Sequence, residues 1–249
     1  MSITDAELAA RIAGTAGDVL LALQRSGLFE GKTLGTAGDL VANRFIMEAL
    51  RVQRPDDAVL SEEELNDTAR CSRSRVWIVD PLDGTREYGE GRSDWAVHVA
   101  LAVEGKAALG AVALPALGEV MRSDAPPAPG PAPERPRMLV SRSRPAAEAV
   151  AVAEALGAEL LPMGSAGAKA MAVVRGDADI YLHTGGQYEW DNCAPIAVAA
   201  AAGLHVSRVD GSALSYNRAN PYLPDLLICR PELAENILKL AAEHEKISG

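Results

Sequence analysis

The spacing of apolar residues predicts two helices at the start of the chain. Within the first segment, apolar side chains recur every three or four positions, which is typical of an amphipathic helix. Thr4 and Glu7 precede this pattern with the spacing of a capping box, so we expect the helix to begin there. A loop over 26–38 and a second helix from about Asp39 to Val52 are expected to follow.

Short apolar runs predict a β-rich region after the second helix. Residues 57–63 and 76–80 are predicted to be strands, and each ends in acidic residues. Three consecutive antiparallel strands are predicted over 95–103, 107–116 and 118–123. The proline- and alanine-rich stretch that follows contains little that a core can use, so we expect an extended, exposed connector.

Strand-like and helix-like segments alternate in the second half of the chain. Strands are predicted over 138–143, 158–164 and 179–184, and each precedes a segment with helical character. This alternation is typical of an α/β arrangement, whereas the first half has α+β character. We therefore expect one unit, 1–249, made of an α+β half (1–124), a connector (125–136) and an α/β half (137–249).

Composition and charge exclude several classes of protein. The net charge of −10 argues against a general nucleic-acid-binding protein, which needs a basic surface. The chain lacks an uninterrupted run of ~18 apolar residues, and its start lacks the basic and apolar blocks of a signal peptide. We expect a cytoplasmic protein without membrane association. Cys71, Cys193 and Cys229 lack metal-ligand spacing, which indicates ordinary reduced thiols.

Acidic residues follow two predicted strands and precede one predicted helix. The glutamates 62–64 can form a solvated loop, Asp80 and Asp83 can form a turn, and Asp191 can cap the helix after it. If the strands that precede Glu62 and Asp80 lie side by side, however, their carboxylates converge at one edge of the sheet. This placement favours a shared site.

The stretch D-P-L-D-G-T (80–85) has the properties of a bend that gathers oxygen ligands. Pro81 fixes its own φ and lacks an N–H, so both aspartates and the carbonyl of Leu82 can face one point. Carboxylates and carbonyls are the ligands that Mg²⁺ prefers. If Thr85 starts a helix, its free N–H groups favour a phosphate, and metals beside such a group indicate phosphoryl transfer.

The motif W-I-V-D-P-L-D-G-T (77–85), with S-E-E upstream and W-D (190–191) downstream, resembles the inositol monophosphatase superfamily. The resemblance implies a magnesium-dependent, lithium-sensitive phosphatase. It also implies a layered αβαβα sandwich of the inositol monophosphatase/fructose-1,6-bisphosphatase type, with an antiparallel-rich sheet in the first half and a smaller α/β sheet in the second. The segments VLSEEE, DWAVHVAL, GSAGAKAMAV and NPYLPDLLIC are similar to actinobacterial CysQ-type 3′-phosphoadenosine 5′-phosphate (PAP) phosphatases.

The resemblance assigns metal ligands residue by residue. Glu62 matches the first glutamate ligand, Asp80 the aspartate that bridges two metals, and Leu82 a carbonyl ligand. Asp83 and Asp191 match the ligands of the second metal, and Asp191 also lies where substrate binds. Two or three Mg²⁺ ions per site are implied.

The resemblance also implies which residues act on water and phosphate. Asp39, in the T-A-G-D stretch 36–39, and the Thr85 hydroxyl match the pair that orients the attacking water and takes its proton. Asp39 can equally be a helix N-cap, and the two roles are compatible. Glu63 matches an acid that supports the metal ligands, and the backbone of Gly84 and Thr85 matches the phosphate-binding position. No histidine nucleophile is required, so the four histidines are expected to have structural roles.

Two segments resemble the substrate side of PAP phosphatases. Ser141 and Arg142 belong to an S-R-S-R stretch whose arginine can bind a second phosphate or stack on adenine, or can be a basic surface turn. Gly164, Ser165 and Lys169 resemble a glycine–serine segment on the nucleotide side. A helix N-cap with a lysine that extends to solvent explains them equally well.

The function implied by the resemblance is hydrolysis of PAP to AMP and phosphate in sulfate assimilation, with PAPS as a further candidate substrate. The enzyme class is a phosphoric monoester hydrolase of the 3′(2′),5′-bisphosphate nucleotidase type. Inositol-1-monophosphatase or fructose-1,6-bisphosphatase activity on the same metals stays open as an alternative. A catalytically inactive metal- or nucleotide-binding regulator is a remote one. Because relatives are often homodimers, a homodimer is also expected.

Overall fold

The computed structural model describes residues 3–128 and 130–248, which contain seven α-helices and twelve β-strands. The helices are α1 (Asp5–Arg25), α2 (Gly31–Gln53), α3 (Thr85–Gly89), α4 (Ala147–Leu156), α5 (Ala166–Arg175), α6 (Glu189–Ala201) and α7 (Pro231–Ser248). The strands are β1 (Ala58–Ser61), β2 (Arg75–Asp83), β3 (Ala96–Val103), β4 (Lys106–Leu114), β5 (Glu119–Arg122), β6 (Arg137–Ser141), β7 (Glu159–Met163), β8 (Ile180–His183), β9 (Gln187–Tyr188), β10 (His205–Ser207), β11 (Tyr222–Leu223) and β12 (Leu226–Cys229).

Two five-stranded mixed sheets and three helical layers form an αβαβα sandwich, which confirms the expected fold. Helices α1 and α2 cover one face of the first sheet, and α5 and α6 fill the space between the two sheets. Helices α4 and α7 cover the outer face of the second sheet. Each sheet therefore buries both faces, which explains why its strands are largely continuous apolar runs.

The first sheet has the order β1-β2-β3-β4-β5, in which β1 runs parallel to β2 and the other pairs are antiparallel. Ser61, the last residue of β1, lies opposite Val79 of β2. Glu62, which follows β1, and Asp80, which follows Val79 within β2, therefore lie at the same edge of the sheet, as the sequence predicted. The register between β2 and β3 then shifts between Asp80 and Asp83, where the D-P-L-D bend occurs.

The second sheet has the order β10-β12-β8-β6-β7, and β9 and β11 form a separate two-stranded ribbon. The parallel neighbours β7, β6 and β8 come from the alternating segments predicted for the second half. The segments β10, β11, β12 and α7 were not predicted from the sequence. The shortest of these strands have two or three residues, which is too few for a recognisable alternation of apolar and polar positions.

The prediction that 26–38 is a loop and that α2 begins at Asp39 is wrong. Helix α2 begins at Gly31, so Asp39 lies inside the helix and is not its N-cap. Glycines at 35 and 38 made the segment resemble a loop, because glycine lowers helix propensity. They are needed for close packing: a Cβ on Gly35 would lie 2.7 Å from Cγ2 of Thr85, and one on Gly38 would lie 2.9 Å from a side-chain carbon of Leu82.

Further sequence predictions concern the start of α1, the connector, the division of the chain and membrane-spanning helices. The N-cap of α1 is confirmed, since the Thr4 hydroxyl accepts a hydrogen bond from the N–H of Glu7 at 3.2 Å. No helix or strand lies between Arg122 and Arg137 among the residues that the structure describes there. The division into two halves with a connector stays a prediction. Within the described ranges, none of the helices has the length and apolar character needed to cross a bilayer.

Candidate active site

Three aspartates converge where the first sheet meets the central helical layer. One carboxylate oxygen from each of Asp80, Asp83 and Asp191 lies within 4.8 Å of the others, and we call this group the acidic triad. Asp80 and Asp83 end strand β2, and Asp191 lies in the first turn of α6. Residues more than a hundred positions apart are thus gathered at one point, as the sequence predicted.

Asp83 is held by the start of α5. Its carboxylate accepts hydrogen bonds from the N–H groups of Ala166 at 3.1 Å and Gly167 at 2.6 Å, and from the hydroxyl of Ser165. Although burial opposes the charge, the contacts with His98, Ser165 and Gly167 lower the pKa of Asp83 to about 2. The carboxylate is therefore fixed as an anion in one orientation.

Ser165 has two functions at this contact. Its hydroxyl also accepts a hydrogen bond from the N–H of Ala168 at 2.9 Å, so it is the N-cap of α5, as one of the two sequence explanations expected. Its φ of 49° lies in the left-handed region, which is uncommon for a residue with a side chain. We infer that the bonds to Asp83 and Ala168 keep the backbone in this conformation.

His98 is a part of the site that sequence reasoning missed. The ring is fully buried on β3, with Nδ1 3.0 Å from the carbonyl oxygen of Trp190 and Nε2 3.3 Å from Oδ2 of Asp83. The second contact has an ion-pair distance but lacks hydrogen-bond alignment, so Nε2 has no hydrogen-bond partner. Burial acts against a charged ring, yet the Asp83 carboxylate raises the pKa of His98. His98 lies on a regular strand, and only its three-dimensional neighbours distinguish it from a core residue.

The other acids of the site repel one another. Burial, and then the charges of Glu62, Asp83 and Asp191, raise the pKa of Asp80 well above its usual value. Burial and the charge of Asp83 raise the pKa of Asp191 to about 6, even though its Oδ2 accepts a 2.6 Å hydrogen bond from the N–H of Tyr188. Glu62 is exposed as a residue, but protein around its carboxyl and the charge of Asp191 raise its pKa to about 7. These acids favour a cation between them.

Asp39 and Thr85 lie next to each other beside the triad. The hydroxyl of Thr85 is 3.3 Å from Oδ1 of Asp39 and 3.1 Å from the carbonyl oxygen of Leu82, so its one proton can serve either acceptor. Burial and the charge of Glu63 raise the pKa of Asp39 to about 7. Gly84 has a φ of 88° and precedes the five-residue helix α3, which begins at Thr85 as expected.

The residues predicted to face the substrate occupy different positions. Lys169 is buried, and its Nζ donates to the carbonyl oxygens of Gly164 at 3.2 Å and Ser165 at 2.6 Å, so it stabilises the turn before α5. It does not extend to solvent, which corrects one of the two sequence explanations. Arg142 donates to Glu87 and Glu90, both at 2.8 Å. The Ser141 hydroxyl accepts a 3.3 Å hydrogen bond from the backbone N–H of Arg144.

The triad fits a divalent cation. Its donors are carboxylate oxygens, which hard cations such as Mg²⁺ prefer. Burial and the mutual repulsion of three acids this close raise the pKa values of Asp80 and Asp191, and a cation between the carboxylates would compensate their charge. Among the described residues, Glu62 is not part of the group of acids within 4.8 Å, although its charge acts on Asp80.

Comparison with known proteins identifies the family. The sequence model of the inositol monophosphatase family matches residues 4–125 and 137–246. The chain belongs to the inositol monophosphatase family. Enzymes of this family use divalent metals, and the acidic triad is consistent with that property.

Curated proteins to which this chain is similar include PAP phosphatases and 3′(2′),5′-bisphosphate nucleotidases. A 3′-phosphoadenosine 5′-phosphate phosphatase of Mycobacterium leprae is 48% identical, and the alignment covers 97% of this chain and 94% of the relative. The Mycobacterium tuberculosis protein of the same name is 50% identical over 92% of this chain and 90% of its own. The 3′(2′),5′-bisphosphate nucleotidase CysQ of Escherichia coli K12 is 33% identical, and the alignment covers 76% of this chain and 81% of the relative.

Solved structures have the same fold. An inositol monophosphatase from Zymomonas mobilis matches with a TM-score of 0.79 at 21% identity, covering 96% of this chain and 97% of the other. CysQ from Bacteroides thetaiotaomicron matches with a TM-score of 0.76 at 24% identity, covering 91% and 97%. These matches support the αβαβα sandwich of the inositol monophosphatase family.

Proposed function

We propose that this protein is a Mg²⁺-dependent phosphatase that hydrolyses PAP to AMP and phosphate. The observation that carries the proposal is the acidic triad with Asp39 and Thr85 beside it, in a chain that is 48–50% identical to PAP phosphatases over nearly its whole length. The oxygen-rich, anionic site suits a reaction in which positioning and charge neutralisation lower the barrier. Neither a serine nor a cysteine nucleophile is needed.

The residues that would hold Mg²⁺ are Glu62, Asp80, the carbonyl of Leu82, Asp83 and Asp191. When bound, Mg²⁺ lowers the pKa of water and neutralises charge on the phosphate. Asp83 contributes a carboxylate that is already ionised and fixed by hydrogen bonds, as described above. The other acids lose their mutual repulsion when a cation lies between them. The number of ions stays a prediction of two or three.

Asp39 and Thr85 act on the attacking water in this proposal. A carboxylate with a pKa of about 7 accepts a proton readily at neutral pH and can release it again afterwards. The Thr85 hydroxyl, held between Asp39 and the Leu82 carbonyl, orients the water through its lone pairs. Glu63 contributes through its charge, which raises the pKa of Asp39. The backbone of Gly84 and Thr85 would contact the phosphate.

The second phosphate of PAP requires a cation near the leaving group. Arg142, the residue suggested by the sequence, pairs with Glu87 and Glu90. Arg144 makes no ion pair among the described residues, and its charge acts on His183 in the second half of the chain. We therefore assign the second phosphate to Arg144, with Ser141 fixing the backbone of this turn through its bond to the Arg144 N–H. Gly164 and Lys169 act by supporting Ser165.

Phosphate release from PAP, inositol 1-phosphate and fructose 1,6-bisphosphate tests the proposal. We expect the highest kcat/KM for PAP, dependence on Mg²⁺, and inhibition by Li⁺. A preference for PAP below about tenfold, or about 1.4 kcal/mol of discrimination, would make the narrow assignment wrong. Release from only one of the other two esters would identify that activity instead. No release from any of them would favour a binding protein. Homodimerisation and a place in sulfate assimilation stay predictions of the family resemblance.

A further inference from the structure

Three aromatic rings form a group at the start of α6. The rings of Tyr188 and Trp190 stack with centroids 4.8 Å apart and an interplanar angle of 9°. Tyr222 meets Tyr188 at 5.9 Å and 77°, which is an edge-to-face contact. We call these three residues the aromatic wall.

The wall begins directly beside the acidic triad. The backbone N–H of Tyr188 donates a 2.6 Å hydrogen bond to Oδ2 of Asp191. Tyr188 and Tyr222 are paired residues of the β9–β11 ribbon, so the second ring is held next to the first. A Cβ on Gly186 would lie 2.4 Å from the hydroxyl of Tyr222, which means that the Tyr222 side chain lies against the Gly186 backbone. Both rings therefore have fixed positions next to the first turn of α6, which carries Asp191.

The wall is unusual in its exposure. The chain has three tryptophans, five tyrosines and two phenylalanines. Among the tryptophan, tyrosine and phenylalanine residues that the structure describes, the exposed ones are Phe29, Tyr188 and Tyr222, at 37%, 45% and 43%. Two of the three exposed aromatic residues thus touch each other beside Asp191. A solvent-exposed aromatic pair next to a polar site is typical of a surface that receives a flat ligand.

We propose that the aromatic wall is the stacking surface for the nucleobase of the substrate. Trp190 occupies one face of Tyr188, so the base contacts the remaining surfaces of Tyr188 and Tyr222. A purine has a π-face that stacks on such rings, whereas inositol and fructose do not. The wall therefore selects nucleotides over polyol phosphates. This inference deepens the proposed function and rests on it, because that function supplies a nucleotide as substrate.

Leucine substitutions test the wall, because leucine keeps an apolar side chain but removes the π-face. We expect Tyr222→Leu and Tyr188→Leu to lower kcat/KM for PAP about 5- to 150-fold more than for inositol 1-phosphate, the range for loss of one stacked base. Tyr222→Phe and Tyr188→Phe should keep the wild-type ratio. Phe29→Leu, at the third exposed aromatic residue, is the matched control and should also keep the ratio.

Calorimetric titration with AMP and with inorganic phosphate, both in Mg²⁺, separates the wall from catalysis. The leucine variants should weaken AMP binding by the same factor and leave the affinity for phosphate near that of the wild type. Equal losses for AMP and phosphate, or no loss for AMP, would overturn the wall as a base-binding surface. Wild-type protein that does not hydrolyse PAP would refute the proposed function, and the AMP titration would still decide the role of the wall.

Discussion

Asp80 and Asp83 lie three positions apart in the same site, yet replacing each by asparagine should change stability in opposite directions. Asp83 is surrounded by donors from Ser165, Ala166 and Gly167, which stabilise its charge. Asp80 is fully buried beside other acids; it accepts a 3.0 Å hydrogen bond from the N–H of Leu82 and shares a side-chain hydrogen bond with Glu62, and no cationic side chain pairs with it among the described residues. Its charge is therefore unfavourable until a cation binds.

The magnitude follows from the pKa of each group. The pKa of Asp83 is lowered from 3.8 to about 2, which corresponds to about 2 kcal/mol of stability at neutral pH. A lowered pKa stabilises the fold above the unfolded value, so Asp83→Asn should lose this amount and lower the Tm by about 4–8 °C. The pKa of Asp80 is raised, so its ionised form destabilises the metal-free fold at neutral pH. Asp80→Asn should raise the Tm of metal-free protein.

Thermal unfolding followed by circular dichroism, with a chelator and then with Mg²⁺, measures both effects. Mg²⁺ should raise the Tm of the wild type, since a ligand that binds only the folded state stabilises it. Both variants should lose most of this rise and most of the phosphatase activity, while keeping a folded spectrum at room temperature. If Asp80→Asn lowers the Tm of chelated protein as much as Asp83→Asn does, the account of this site as mutually repelling acids is wrong.

Three further predictions concern pH, packing and specificity. Burial and neighbouring acids raise the pKa values of Asp39, Glu62, Asp80 and Asp191 in the folded state. The contribution of these four acids to the stability of metal-free protein should therefore fall as pH rises from about 4 to about 7, and Mg²⁺ should raise the Tm more at pH above this window than below it. A Cβ on Gly167 would lie 2.0 Å from Nε2 of His98. Gly167→Ala should therefore lower the Tm by several degrees and weaken Mg²⁺ binding measured by calorimetry. Gly130→Ala is the control and should do neither, because a Cβ on Gly130 would have no neighbouring atom within 4 Å. Arg144→Met should reduce kcat/KM for PAP more than for inositol 1-phosphate, and Arg142→Met should affect both equally; the reverse result would return the second phosphate to Arg142.

Much of the site was predictable because it lies in one short motif. Asp80, Leu82 and Asp83 lie at the end of a buried strand, and Thr85 begins the helix after it, so the bend that gathers them depends on neighbouring residues. Pairing of β1 with β2 then brings Glu62 to the same edge, as its position after an apolar run indicated. The position of Asp39 inside α2 was not predictable, because Gly35 and Gly38 lower the helix propensity of this segment. The reason for these glycines is their close packing against Thr85 and Leu82, which the sequence does not show.

The apolar patterns of the sequence by themselves indicated an α+β half followed by an α/β half, and its family motifs implied the αβαβα class and named the three acids that the structure brings together, Asp80, Asp83 and Asp191. Only the tertiary structure decided how each acid is held. Asp83 accepts hydrogen bonds from Ser165, Ala166 and Gly167, which come more than eighty positions later in the chain. His98 lies against Asp83 from a neighbouring strand. Arg142, which the sequence suggested for substrate binding, instead donates a hydrogen bond to Glu87, 55 positions earlier in the chain. Residues so far apart carry no local pattern, because the free energy of their contacts depends on packing between layers rather than on sequence neighbours.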